Sequence, residues 1–154
     1  MRTAQLGEVG PHRVVGPFVA EALSAAGTIG RVTAAALRKL CLSFPGTYED
    51  FPFGPNASVF KVEGKMFAIS LLKSSPLTVS LKCEPELAEQ LRGSYPDAVT
   101  PGYHLNKRHW NTVLCDGGLV SDEMVGDMVE DSYDLIVAAM PARVRERLGW
   151  AAAT

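Results

Sequence analysis

With 154 residues, 47% of them hydrophobic, the chain suits one globular domain with a core of its own. Its formal net charge of −2 lacks the basic excess of a strong, non-specific nucleic-acid binder. No apolar run approaches the roughly 18 residues that cross a bilayer, and the three scattered cysteines suit buried thiols better than a disulfide framework.

Residues 1–31 read as a poorly ordered extension, because Gly7, Gly10, Pro11, Gly16, Pro17, Gly27 and Gly30 break any long periodicity. Residues 32–150 read as one α/β domain. Leu37, Leu40 and Cys41 recur at helical spacing with Thr33 or Arg31 near the start, and Pro45-Gly46 ends that helix. The stretch from Thr47 to Pro55 reads as a loop stiffened by Pro52 and Pro55. Ser58–Val62 and Met66–Leu72 flank Glu63-Gly64-Lys65 as a hairpin, with Phe67, Ile69 and Leu71 expected on one face and Met66, Ala68 and Ser70 on the other. In the third strand Leu77, Val79 and Leu81 alternate with Thr78, Ser80 and Lys82, the pattern of a sheet packed on one side only.

Pro85 then opens a helix striped by Leu87, Ala88 and Leu91, and Gly93 is expected to stop it. After a turn-rich approach through Pro101-Gly102, Trp110–Cys115 is a fourth strand. Ser121 starts a long helix with Met124, Val125, Met128, Val129, Ser132, Leu135 and Ile136 at helical spacing. Its acids, Asp122, Glu123, Asp127, Glu130, Asp131 and Asp134, read as a solvated polar face. Pro141 begins a short last helix. The order predicts an α+β, two-layer sandwich: an antiparallel sheet with helices packed on one face and the other face open.

Three segments stand out together: Glu49-Asp50-Phe51-Pro52-Phe53-Gly54; Val59-Phe60-Lys61-Val62 with Gly64-Lys65-Met66-Phe67; and the run from Pro101 to Asn111. With Ser132-Tyr133-Asp134-Leu135, the set resembles the MmcQ/YjbR-like family over about Leu37 to Arg147. The resemblance implies a two-layer α/β fold related in architecture to the frataxin-like fold. It also implies a role in DNA binding, proposed for the family largely from its shape, and no established reaction.

The candidate site is built on Tyr103, His104, Asn106, Lys107, Arg108, His109 and Trp110, with Lys61 and Lys82 beside them on the open sheet face. Cations next to aromatic rings are what phosphate contacts and base stacking require. The alternative is that the histidines and asparagines serve the loop's own backbone while Trp110 belongs to the core. Between the two stands a mixed reading, the one expected here, in which Trp110 and Leu105 anchor the segment while Lys107, Arg108 and His109 reach solvent. His104 and His109 lie on neither one helix face nor one strand face, and no carboxylate or thiolate joins them at a recognised spacing. No metal or other cofactor is expected. Glu49 and Asp50, being adjacent, diverge rather than form an acid/base pair, and Cys83 and Cys115 carry no local nucleophile signature. The expectation is a non-catalytic, cytoplasmic binding domain without a membrane partner. It takes nucleic acid or, alternatively, a protein or small molecule with Tyr103 and Trp110 as anchors.

Overall fold

The computed structural model describes residues 32–102 and 105–150. The segment 1–31, Tyr103 and His104 lie outside the described residues, and with them the expected extension and two members of the candidate site. The described elements are α1 (Ala34–Cys41), β1 (Thr47–Asp50), β2 (Ser58–Val62), β3 (Lys65–Ser70), β4 (Thr78–Lys82), α2 (Pro85–Ser94), β5 (Val99–Pro101), β6 (Trp110–Leu114), α3 (Asp122–Ala138) and α4 (Ala142–Leu148).

Local chemistry explains where the helices begin. The Thr33 hydroxyl accepts the Ala36 N–H at 3.1 Å and that of Ser121 accepts the Met124 N–H at 3.0 Å, so each caps an otherwise unsatisfied first turn. Pro85 sits in the first turn of α2, where its missing N–H removes no helix bond. That helix runs through Gly93 to Ser94, one residue further than expected. Between β2 and β3, Glu63 and Gly64 both have positive φ, 51° and 79°, the backbone of a two-residue hairpin turn whose twist matches the strands.

The strands form one antiparallel sheet in the order β1-β2-β3-β4-β6-β5. Two of its strands lie in segments that read as loops. β1 is Thr47–Asp50, cut short before Pro52, and β5 is the three-residue Val99–Pro101. Both are edge strands, where short length and proline discourage further pairing.

The alternation expected of β4 is present: Val79 and Leu81 are buried and Thr78, Ser80 and Lys82 are not. In β3 it fails. Phe60 pairs with Ala68 but Lys61 pairs with Met66, which leaves Phe67 as an extra residue at a bulge. Phe67 and Ala68 consequently both enter the core, and Ile69 turns to the opposite face beside Ser80.

The core lies between the sheet and the helices, with Leu37, Leu40, Leu87, Leu91, Val125 and Val129 against Phe60, Phe67, Val79, Leu81 and Val113. Tyr133 of α3 stacks on Phe44, meets the edge of Phe67, and donates its hydroxyl to the Pro45 carbonyl at 2.7 Å. That bond ties α3 to the turn after α1. Ser132 bridges two strands. Its Oγ donates to the Phe67 carbonyl at 2.6 Å and accepts the Lys82 N–H at 2.9 Å, where the β3–β4 pairing is only two residues long.

The acids of α3 depart from expectation. Asp127, Glu130 and Asp134 are 6%, 2% and 1% exposed rather than solvated, and each takes part in interactions of its own. For Asp134 one partner is the Trp150 indole, which donates at 2.7 Å. At Asp134 the chain that follows folds back over the helix and brings a matching donor with it.

Candidate functional site

The open face is best read outward from the Ser80–Thr112 pair. Ile69, Ser80 and Thr112 sit side by side on β3, β4 and β6, opposite the helices. The Ser80 and Thr112 hydroxyls are 2.9 Å apart and bonded to each other. Above them three loops contribute apolar walls: Phe53 between β1 and β2, Leu71 after β3, and Leu105 before β6. Together with Thr78 they enclose an open groove of about 490 Å³ with no charged side chain in its lining. Phe53 is 67% exposed and Leu71 47%, so a substantial apolar surface faces water.

The expected cations stand around this groove rather than in it. Lys61 faces the same side but extends to Asp50, its Nζ 2.8 Å from Oδ2. That contact, with the Phe51 N–H donating to the same carboxylate, holds Asp50 below the usual carboxylate range and Lys61 above the usual lysine value. Lys82 pairs with Trp110 at the far end of β4. One strand, β3, separates the two lysines, so their backbones are roughly 10 Å apart by ordinary strand spacing.

The segment 105–111 is held by Arg92 of α2, a residue absent from the sequence reading. Its Nε donates to Asn111 Oδ1 at 2.7 Å, and one terminal nitrogen donates to the carbonyls of Lys107 and Trp110. Asn111, 2% exposed, donates in turn to the Ala88 carbonyl at 3.5 Å. Asn106 is occupied locally, since its Oδ1 accepts the Arg108 N–H at 2.9 Å and its carbonyl accepts the His109 N–H. The His109 carbonyl receives the Cys83 N–H at 2.7 Å. Trp110 is only 8% exposed, and Gly102 packs so close that a Cβ there would meet the Trp110 Cβ at 2.8 Å. Trp110 therefore shows little ring to a ligand. The apolar side chains presented on this face are instead Leu105, expected beside Trp110 as an anchor, and Phe53 and Leu71, which the sequence did not single out. Arg108 and Lys107 are exposed; the Lys107 Nζ makes one long bond, 3.4 Å, to the Gly102 carbonyl.

A family model named YjbR matches residues 42–135. The chain is 38% identical over 117 residues to the uncharacterised protein YjbR of Escherichia coli K12, covering 76% of this chain and 98% of the relative. It is 35% identical over 112 residues to the uncharacterised protein YbdF of Escherichia coli O157:H7, covering 72% and 89%.

The chain belongs to the YjbR family.

A crystal structure of DR2400 from Deinococcus radiodurans, with a DUF419 domain, superimposes with a TM-score of 0.74 at 37% identity, covering 79% of this chain and 91% of that one. Family membership and fold thus agree. The motifs that carried the resemblance divide by role. Gly102, Asn111, Ser132 and Tyr133 are architectural, holding loop to strand and helix to sheet. The Phe51-Pro52-Phe53 stretch is displayed.

The thiols are poorly suited to nucleophilic work. Burial pushes Cys83 and Cys115 up to about 12 and Cys41 further still, which leaves almost no thiolate near neutrality.

Proposed function

We propose that this YjbR-family chain is a non-catalytic binding module whose open sheet face takes a neutral, largely apolar ligand. The observation that carries the reading is the groove itself. It has three apolar walls from separate loops, a floor of hydroxyls and no ionic group, at a volume within the usual range of about 300–1,000 Å³ for small-molecule sites. Uncharged hydroxyls at the floor orient a ligand through single hydrogen bonds, while Phe53, Leu71 and Leu105 supply the apolar contact.

A nucleic-acid reading keeps one observation in its favour, the exposed Lys107 and Arg108 at the rim of the same face. Against it stand the ion pair that occupies Lys61, the buried Trp110 and the net charge of −2. Stacking platforms and free cations are what single-strand binding draws on.

Two variants separate the readings. Phe53→Ala removes an exposed wall and should cost little stability, within about 0.5 kcal/mol. It should weaken binding of a neutral aromatic probe such as indole, while a Lys107→Ala/Arg108→Ala double variant leaves that binding unchanged. A short DNA strand held by the parent protein, released by the double variant and indifferent to Phe53→Ala, would reverse the assignment.

A further inference from the structure

The loop between β1 and β2 serves two grooves. Phe53 walls the neutral groove on the open face, whereas Phe51, two residues earlier, walls a second groove of about 350 Å³ beside α1. This second groove is charged. Arg38 of α1 and Lys73, from the turn after β3, lie along it with Glu49 of β1, Ser58 of β2 and Asn56.

The groups at its base are ordered by one another. Glu49 has a side chain only 12% exposed and uses both carboxylate oxygens: Oε1 accepts Arg38 Nε at 2.8 Å and Oε2 accepts the Ser58 hydroxyl at 2.7 Å. Glu49 is therefore spent on positioning. Binding through Nε fixes the guanidinium plane, and among the described residues no group engages the two terminal nitrogens of Arg38, which is 53% exposed. Those nitrogens form the flat edge that matches a carboxylate or phosphate with two parallel hydrogen bonds. Lys73 is exposed and, among the described residues, has no ion partner, so the groove keeps an excess of positive charge after Glu49 is counted. Phe51, 47% exposed, and Pro55 give it an apolar wall.

We infer that this groove is a second binding site, for a small organic oxyanion: a carboxylate or phosphate monoester carried on an aromatic or aliphatic group. Arg38 and Lys73 take the anionic head, Phe51 takes the apolar part, and Glu49 with Ser58 sets the guanidinium. The site does not depend on the neutral groove, which lies on the other sheet face and has none of these residues.

Phenyl phosphate, benzoate and inorganic phosphate, titrated into the full chain and followed by backbone-amide NMR, test the inference. The expected result is saturable shifts at Phe51, Asn56 and Lys73 with phenyl phosphate or benzoate, whichever head fits better, and weaker binding of inorganic phosphate. Lys73→Ala should weaken the better probe about tenfold, the loss of one charge-assisted hydrogen bond. Lys39→Ala makes the same charge change outside the groove and should leave affinity unaltered. Arg38→Gln is read only if its thermal midpoint matches the parent; otherwise Lys73→Ala decides. No saturable shifts at these residues would overturn the inference. So would equal weakening by Lys39→Ala and Lys73→Ala, or inorganic phosphate binding as tightly as the aromatic probes.

Discussion

Ser132 shows how one buried hydroxyl substitutes for strand pairing. Phe67 C=O and Lys82 N–H lie where β3 and β4 no longer bond each other, and the Ser132 Oγ satisfies both at once from α3. Ser132→Ala would leave a buried donor and acceptor unmatched, at a cost of about 1–3 kcal/mol for each group that stays dry. Urea unfolding should show a lower midpoint of at least the single-group size, and a midpoint equal to the parent's would mean that Ser132 is not a bridge. Asp50 is a second residue with a measurable signature. The Lys61 hydrogen bond holds its folded pKa below the ordinary 3.8, so the pair's contribution to stability is present above that value and fades as pH falls through the folded one. Lys61→Met should raise the Asp50 midpoint in an NMR titration, although not fully, because the Phe51 N–H still donates to it. An unmoved midpoint would return Lys61 to the list of free cations.

Among the elements, the segment from Leu105 to Asn111 depends most on a single distant partner. Arg92 reaches from α2 to the Lys107 and Trp110 carbonyls and to Asn111, so Arg92→Met should loosen the segment without disturbing the β2–β3 hairpin. Hydrogen exchange should accelerate at Leu105–Trp110 and stay at the parent's rate in β2 and β3; uniform acceleration would mean global destabilisation instead. Much at this scale was legible beforehand. The β4 alternation, the helix start at Ser121 and the role of Pro85 follow from period and local hydrogen bonding, which are properties of a few consecutive residues, whereas the start of α1 was legible only as Thr33 or Arg31. The bulge at Phe67 was not legible, because an extra residue is defined by the partner strand and not by its own sequence. β1 and β5 were missed for a related reason: as short edge strands they owe their conformation to β2 and β6. The acids of α3 misled because burial depends on what folds over a helix, as Trp150 does at Asp134.

For the molecule as a whole, the sequence drew attention to the cations and histidines before Trp110, whereas the structure brings together Phe53, Leu71 and Leu105 from three separate loops. No periodicity links such residues, and each alone is an unremarkable apolar side chain, exposed at Phe53 and Leu71 and half-buried at Leu105. Only the sheet order, which sets β3 beside β4 and β4 beside β6, places their loops over the same Ile69–Ser80–Thr112 row. The central claim is that the working surface is this neutral groove and not the basic rim. The most direct test is an amide-shift map of the full chain, titrated separately with indole and with a short single-stranded DNA at low salt. The account predicts saturable indole shifts at Ile69, Thr78, Ser80 and Thr112, and no saturable DNA shifts at Lys107–His109. Saturable DNA shifts at Lys107–His109 that collapse on adding salt, with the groove amides silent to indole, would contradict it.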